Sequence, residues 1–227
     1  MTTLQVAHLP SPSSTTTVHL ELSPGHRQGK EARIGPSYGR AMSSLALVPP
    51  PPPGHDDVDD ETGFVRLASP VGRIEIVSRG FAVERVFVER EGLLPHDGED
   101  ERPDALLVAA RTQVTDYFLG VRRWFDLPLR FTGTSFQRSV WSALSVVEWG
   151  RTTTYGRLGG AIGSPQAGRA VGGAVRANPL PILVPCHRVL GRTGGLTGYT
   201  VGGGIETKRW LLRHEGIVHR EGPVPLP

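Results

Sequence analysis

The chain has 227 residues, a net charge of +3 and a single cysteine, enough length for one large or two small domains with a sizeable core. One cysteine excludes an intrachain disulfide and a zinc site built from several thiolates. No apolar stretch is long enough for a membrane span, and no basic start leads into an apolar core as a secretory signal requires, so a reduced cytoplasmic setting is expected.

Residues 1–62 are rich in Ser, Thr and Pro, lack periodicity, and end in the Pro49–Pro53 run and the acids Asp56, Asp57, Asp59, Asp60 and Glu61. Such a composition buries little surface and predicts a disordered or polyproline extension. An organellar-targeting reading of its Ser-rich start is opposed by the acidic cluster. Net charge is −3 over 1–62, −2 over 63–129 and +8 over 130–227. A polyanionic partner would meet the C-terminal part, although a basic surface also serves solubility alone.

From Phe64 the pattern is strand-like. Phe64–Leu67, a Ser69–Gly72 turn and Arg73–Val77 read as a hairpin, and Phe81–Val88 as a third strand. The acidic linker Glu91–Pro103 carries no signal of function, and the acidic residues of this part of the chain, which recur at no metal-ligand spacing, are expected to form a solvated face. Asp104–Leu119 is predicted as an amphipathic helix burying Leu106, Leu107, Ala110, Val114, Tyr117 and Phe118. Phe125–Phe131 is predicted as a short strand, and Ser135–Val147 as a helix with Phe136, Val140, Trp141, Leu144 and Val147 inward.

Thr152–Tyr155 leads into a short helix over Gly156–Ile162 that Gly163 ends. A second helix is predicted from an N-cap at Ser164 and Pro165 in its first turn. Its inner face is Ala167, Ala170, Val171, Ala174 and Val175; its outer face holds Gln166, Arg169, Gly172, Gly173 and Arg176. Each interior glycine disfavours helix by roughly 1 kcal/mol relative to alanine, so something approaches this face closely. A phosphate backbone between two arginines and another helix packed on small residues suit it equally. The two helices have helix-turn-helix layout.

Ile182–Val184 reads as a short buried strand ended by Pro185. Cys186 then sits at its exit, beside His187 and Arg188. A lone cysteine is usually an inert small hydrophobe, but these neighbours favour a reactive thiolate. His187 would act as base through a water or a turn, because neighbours in extended chain point apart.

Tyr155, Ser164-Pro165, Arg169–Ala174, Asn178-Pro179, Pro185–Val189, Gly198-Tyr199 and a final helix from Lys208 to Gly216 together resemble the O6-alkylguanine-DNA alkyltransferases. The resemblance runs from about Gly63 to Gly216. It implies an α+β fold: a disordered extension (1–62), a small ribonuclease-H-like support domain (63–132), a mostly helical DNA-binding alkyltransferase domain with a winged-helix-like helix-turn-helix (133–220), and a tail (221–227). The implied activity is irreversible, single-turnover transfer of an alkyl group from O6-alkylguanine, flipped from duplex DNA through the minor groove, to Cys186. O4-alkylthymine is a further candidate substrate. No cofactor or metal is implied, and a monomer in the cytoplasm or on the nucleoid is expected.

Roles follow from that resemblance. Cys186 is the nucleophile and His187 its base through water. Glu215 orients His187; a carboxylate at a helix C-terminus is mildly unfavourable unless a cation or imidazole meets it, the alternative being an exposed Glu before Gly216. Asn178 ties the helix end to the cysteine loop, though an Asn-Pro turn is also expected without activity. Arg169 replaces the flipped base in the stack, and Tyr155 presses on the target phosphate, or else caps a core. Gln137, Gly156, Ser164, Gly172, Gly173, Arg176 and Arg192 complete the implied DNA-binding set. Pro181, Val189, Tyr199 and Thr200 wall the guanine pocket, with the Val184 backbone reading the base edge and Tyr199 donating to the departing guanine. The loop Thr200–Thr207 is two residues longer than is usual in the family, and its three glycines suggest a mobile lid. Two other readings remain: a non-catalytic lesion-binding or regulatory helix-turn-helix protein, and a thiol hydrolase using Cys186 and His187.

Overall fold

The computed structural model describes residues 62–220; apart from Thr62, the segments expected as extension and tail lie outside the described residues. β1 (Thr62–Leu67), β2 (Ile74–Arg79) and β3 (Ala82–Val88) form an antiparallel sheet in that order. The hairpin turn forms as expected, with Gly72 N–H donating to the Ser69 carbonyl at 3.2 Å. Val65 pairs with Ile76 and Ile76 with Val86, so these three share one face and enter the main core.

Helix α1 (Ala105–Phe118) covers that face. Its N-cap is Asp104, whose carboxylate accepts from Leu107 N–H at 2.6 Å. Leu107, Ala110, Val114 and Tyr117 are buried as their spacing requires, while Leu106 and Phe118 pack at the margin. Gly63 lies under the helix, where a Cβ would meet Leu107 Cδ1 at 2.9 Å.

One expectation is corrected and another is extended. The acidic linker exposes Glu91, Asp97, Glu99 and Asp100 as expected, yet it also docks on the opposite sheet face as a strap. His96 stacks on Phe64 at 4.6 Å, the fully buried Glu75 meets His96 Nδ1 at 2.7 Å and Arg66 Nε at 3.2 Å, and Asp97 pairs with Arg73 at 2.7 Å. The arginines of the sheet supply partners that composition alone did not reveal. Residues 125–131 are extended with alternate residues Phe125, Leu127, Leu129 and Phe131 buried, yet they attach to β3 only around Val83. Pro128 has no N–H to extend the ladder.

Helix α2 (Ser135–Ser145) begins at a capping box in which Thr134 accepts from Gln137 N–H and the Gln137 side chain accepts from Thr134 N–H. It buries Val140, Trp141 and Leu144. β4 (Thr153–Thr154) leads into α3 (Tyr155–Ala161), then α4 (Gly168–Arg176). Trp141 Nε1 donates to the Ala174 carbonyl at 2.8 Å and so fixes α2 on α4. β5 (Val189–Leu190) pairs in parallel with β4, and α5 (Ile205–His214) closes the unit. Helix α4 starts three residues later than its sequence signals suggest. Ser164 instead opens a turn, its carbonyl accepting from Ala167 N–H at 3.0 Å, and Ala170 is exposed. Among the described residues no helix is long and apolar enough to cross a membrane.

Candidate active site and nucleic-acid interface

Cys186 begins a 3-10 turn (Cys186–Arg188). The residues before it are buried but form a turn, not the expected strand. Ile182 adopts φ of 74°, a costly region for a β-branched residue, and Val184 N–H returns to the Leu180 carbonyl at 2.8 Å. Asn178 holds this turn as expected: its amide donates to the Val184 carbonyl at 2.8 Å, and its oxygen accepts from Leu180 N–H at 3.1 Å. The Val184 carbonyl also accepts from Cys186 N–H at 2.8 Å. Both Val184 backbone groups are therefore engaged, and reading a base edge would require exchanging these bonds.

The thiol is 4% exposed, not open as expected. Tyr199 lies over it, with its hydroxyl 3.9 Å from Sγ. Burial pushes the Cys186 thiol up, against the opposing influence of Asn178, Tyr199 and Lys208. The resting sulfur is thus a neutral thiol: burial outweighs the electropositive influence of Lys208, and the activation expected from Arg188 is missing. The physical reason is that Arg188 spends its charge elsewhere: it is buried and grips Glu215 with Nε at 2.7 Å and Nη2 at 2.8 Å.

Glu215 caps α5, is 3% exposed, and accepts from His187 Nε2 at 2.8 Å. Burial would raise its carboxyl, but the His187 and Arg188 hydrogen bonds outweigh that and hold it at about 2. A carboxylate can only accept, so His187 carries its proton on Nε2 and presents a lone pair at Nδ1. Nδ1 is buried without a hydrogen-bond partner among the described residues. Burial lowers the imidazole, more than Glu215 raises it, so His187 is neutral at rest. A neutral imidazole in a fixed tautomer, one residue from a neutral thiol on a tight turn, can accept the thiol proton.

Three residues of this cluster escaped the sequence reading. Arg188 was visible only as a neighbour. Lys208 is buried, donates to the Val189 and Thr197 carbonyls, lies 5.9 Å over the Tyr199 ring and is lowered by burial to about 8; a lysine near the start of an amphipathic helix carries no mark of burial. Tyr117 reaches Glu215 from α1, and nothing local to it announces that.

Of the expected pocket walls, Pro181 and Val189 are buried and Thr200 is exposed. The loop from Tyr199 to Gly204 runs between two clefts of about 520 and 600 Å³, neither lined by Cys186. Its glycines are held rather than loose. Gly202, at φ of 54°, abuts Val88, where a Cβ would lie 2.8 Å from Cγ1. Gly203 N–H donates to Thr207 Oγ1 at 3.0 Å and Gly204 N–H to the Val201 carbonyl at 3.0 Å.

On α4, Val171, Ala174 and Val175 face the core, while Arg169, Gly173 and Arg176 face outward. A Cβ added at Gly156, Gly168 or Gly173 would meet nothing within 4 Å. Gly168 and Gly173 of α4 therefore pack on no other helix among the described residues, whereas Gly172 lies against Tyr155 of α3. The side chains of Arg169, Arg176, Arg157 and Arg192 are exposed and make no hydrogen bond or ion pair among those residues. Tyr155 is partly buried against the core, its hydroxyl 3.1 Å from Thr197 Oγ1 and its ring beside Gly172. Gln137 is committed to the capping box, and Ser164 to the turn before α4.

A family model described as the DNA-binding domain of 6-O-methylguanine DNA methyltransferase matches residues 135–217, from α2 through Glu215. The methylated-DNA–protein-cysteine methyltransferase of Haemophilus influenzae is 42% identical over 158 residues, covering 68% of this chain and 86% of its own. That of Salmonella typhimurium is 51% identical over 164 residues, covering 67% and 95%. The chain belongs to the methylated-DNA–protein-cysteine methyltransferases. The crystal structure of the Mycobacterium tuberculosis O6-methylguanine methyltransferase superposes with a TM-score of 0.61 at 37% identity, covering 68% of this chain and 93% of that one. A structure of the same mycobacterial protein in complex with DNA gives 0.59 at 39% identity, covering 67% and 91%. The matched region carries both the thiol cluster and the α3–α4 pair.

Proposed function

We propose that the chain repairs duplex DNA by moving the alkyl group of O6-alkylguanine onto its own Cys186, once and irreversibly. The observation that carries this reading is the His187–Glu215 contact at 2.8 Å with His187 Nδ1 left unpaired beside the only cysteine. Nδ1 takes the thiol proton through a water. The thiolate attacks the saturated carbon, an S–C bond forms, the C–O6 bond breaks, and guanine departs with a proton supplied through the Tyr199 phenol. Burial holds that phenol well above its usual range, so it is a neutral donor. The thioether is stable, and nothing in the cluster would cleave it.

DNA binds across α3 and α4, read here as the helix-turn-helix of a winged-helix-like domain, with 63–132 a ribonuclease-H-like support. The glycines of α4 allow a sugar-phosphate backbone to approach, and Arg169 and Arg176 supply charge. Arg169 fills the gap left by the flipped nucleotide, Tyr155 presses its phosphate, and Gly156, Gly172 and Arg192 lie along the same surface. Gln137 and Ser164 contact the backbone through atoms not used in their turns. A buried base cannot reach a sealed thiol, so the nucleotide leaves the stack and Tyr199 and Thr200 move aside between the two clefts. Pro181, Val184 and Val189 wall the guanine, and Asn178 keeps the cysteine turn in register. The protein acts as a monomer, without cofactor, in the cytoplasm or on the nucleoid; O4-alkylthymine is a second candidate substrate.

Duplex DNA carrying labelled O6-methylguanine tests the reading. The expected result is one methyl group per molecule on Cys186 by intact mass and none on Cys186→Ala. Binding with the label left on the DNA would identify a lesion binder, and neither binding nor transfer would overturn the reading.

A further inference from the structure

The Glu215 carboxylate has a partner beyond the imidazole of the proton relay and the guanidinium beside it. Tyr117, in α1 and 98 residues earlier in the chain, donates its hydroxyl to Glu215 Oε1 at 2.8 Å. That oxygen also accepts from His187 Nε2 and Arg188 Nη2, each at 2.8 Å, while Oε2 accepts from Arg188 Nε. Three donors therefore share Oε1, and the phenol comes from the part of the fold read above as support.

The hydroxyl is aimed. Tyr117 is fully buried. Its ring meets Phe118, Phe125, Trp149 and His214 at centroid distances of 5.2, 5.5, 5.3 and 5.2 Å. His214 immediately precedes Glu215, stacks on Trp210 at 4.8 Å and meets the Tyr117 carbonyl through Nε2 at 2.7 Å. This cluster locks α1 to the end of α5, so the phenol has one place to donate. Burial, then the nearby carboxylate, holds the Tyr117 phenol well above its usual range, which keeps it a donor.

We propose that Tyr117 is a positioning residue for the reaction: by sharing Glu215 Oε1 with His187, it fixes the carboxylate rotamer and limits how strongly Glu215 favours the imidazolium. A hydrogen bond to the charged form of an acceptor spreads its charge, so Oε1 attracts the imidazolium proton less than an unshared oxygen would. His187 then stays neutral, and able to accept the thiol proton, to lower pH. The other charged or titratable groups facing this cluster are Arg188 from the cysteine turn, Lys208 and His214 from α5, and Cys186 and Tyr199 across the imidazole. Tyr117→Phe alters none of them.

The inference rests on the proton-acceptor role given to His187, and the test separates the two. In the whole protein, the His187 imidazole nitrogens are titrated by long-range proton–nitrogen correlation, and methyl transfer to Cys186 is timed against pH. Wild-type transfer tests the reaction; the difference between variants tests Tyr117. For Tyr117→Phe the His187 titration and the acid limb of the rate are both expected to move up, by on the order of one pH unit, with DNA affinity unchanged. A 3-fluorotyrosine placed at 117 alone keeps the ring and donates more strongly; it is expected to move both down. If Tyr117→Phe does not fold, the fluorinated protein decides. Unmoved titration and limb, whether or not melting temperature falls, would leave Tyr117 a packing residue and overturn the proposal.

Discussion

Two buried glutamates, one in the sheet and one at the end of α5, have nearly the same kinds of partner. Glu75 is 0% exposed and is met by His96 at 2.7 Å and Arg66 at 3.2 Å; Glu215 is 3% exposed and is met by His187 at 2.8 Å and Arg188 at 2.7 Å. The first set holds a strap on a sheet. Its imidazole side chain is a quarter exposed and stacked on Phe64, and no nucleophile adjoins it. The second imidazole is sealed, its outer nitrogen is unpaired, and the only thiol is one residue away. A carboxylate, an imidazole and a guanidinium are thus no signature of chemistry. Water exclusion and an unspent lone pair beside a reactive atom make the difference.

The comparison breaks most sharply at the two histidines. His187→Gln is expected to slow methyl transfer by roughly 10²–10⁴-fold, the usual worth of a positioned base. His96→Gln should leave the rate per folded molecule unchanged. Single-turnover transfer timed by intact mass checks both; equal rates for the two variants would remove the base from the mechanism.

The carboxylates give the next effect. Glu215→Gln leaves buried Arg188 unpaired and is expected to destabilise by about 3–5 kcal/mol. Glu75→Gln, whose partners reach solvent, should cost about 1–3 kcal/mol. The pH dependence carries the same contrast. Glu215 is held at about 2, below its ordinary 4.5, so its contribution is complete above pH 4.5 and is lost as pH falls toward 2. The shift corresponds to about 3 kcal/mol. Urea midpoints between pH 6 and 2.5 should fall steeply for wild type and less steeply for Glu215→Gln.

Much of this was legible in the sequence where signals are local. The hairpin turn at Ser69–Gly72 and the periodic apolar positions of α1 and α2 each depend on residues within one element, and they are observed as read. Glu215 was legible through the family resemblance, which the unfavourable place of a carboxylate at a helix end supported. What failed depended on residues far apart. Pro128 breaks a ladder only because β3 is its neighbour. The linker docks through His96 and Asp97 only because the sheet offers Phe64, Glu75 and Arg73. The thiol's burial, the diversion of Arg188 and the reach of Tyr117 all depend on where α1 and α5 dock. Ile182 at positive φ also defeats pattern reading, since three apolar residues in a row look like a strand whatever the backbone does.

On the interface, charge removal should have the next largest effect. Arg176→Ala is expected to weaken binding to duplex DNA and to reduce the slope of log affinity against log salt by about 1, the worth of one phosphate contact. Titrations across a salt series read this directly, and Arg123→Ala, outside the basic segment, should not move the slope.

The smallest effect is the most discriminating, because its two parts have opposite signs. Gly173 lies within α4 at an ordinary helical conformation, and a Cβ there meets nothing within 4 Å of the described residues. Gly173→Ala should therefore stabilise the protein by up to about 1 kcal/mol, the intrinsic helix preference of alanine. The methyl group would nevertheless stand where a DNA backbone approaches, so affinity for duplex DNA should fall while Arg169 and Arg176 remain. A glycine kept for folding would give loss of stability instead, and one kept for no reason would give stability with unaltered binding. Thermal melting and DNA titration of one variant distinguish all three, and only the opposed pair of results fits a bare helix surface reserved for a partner.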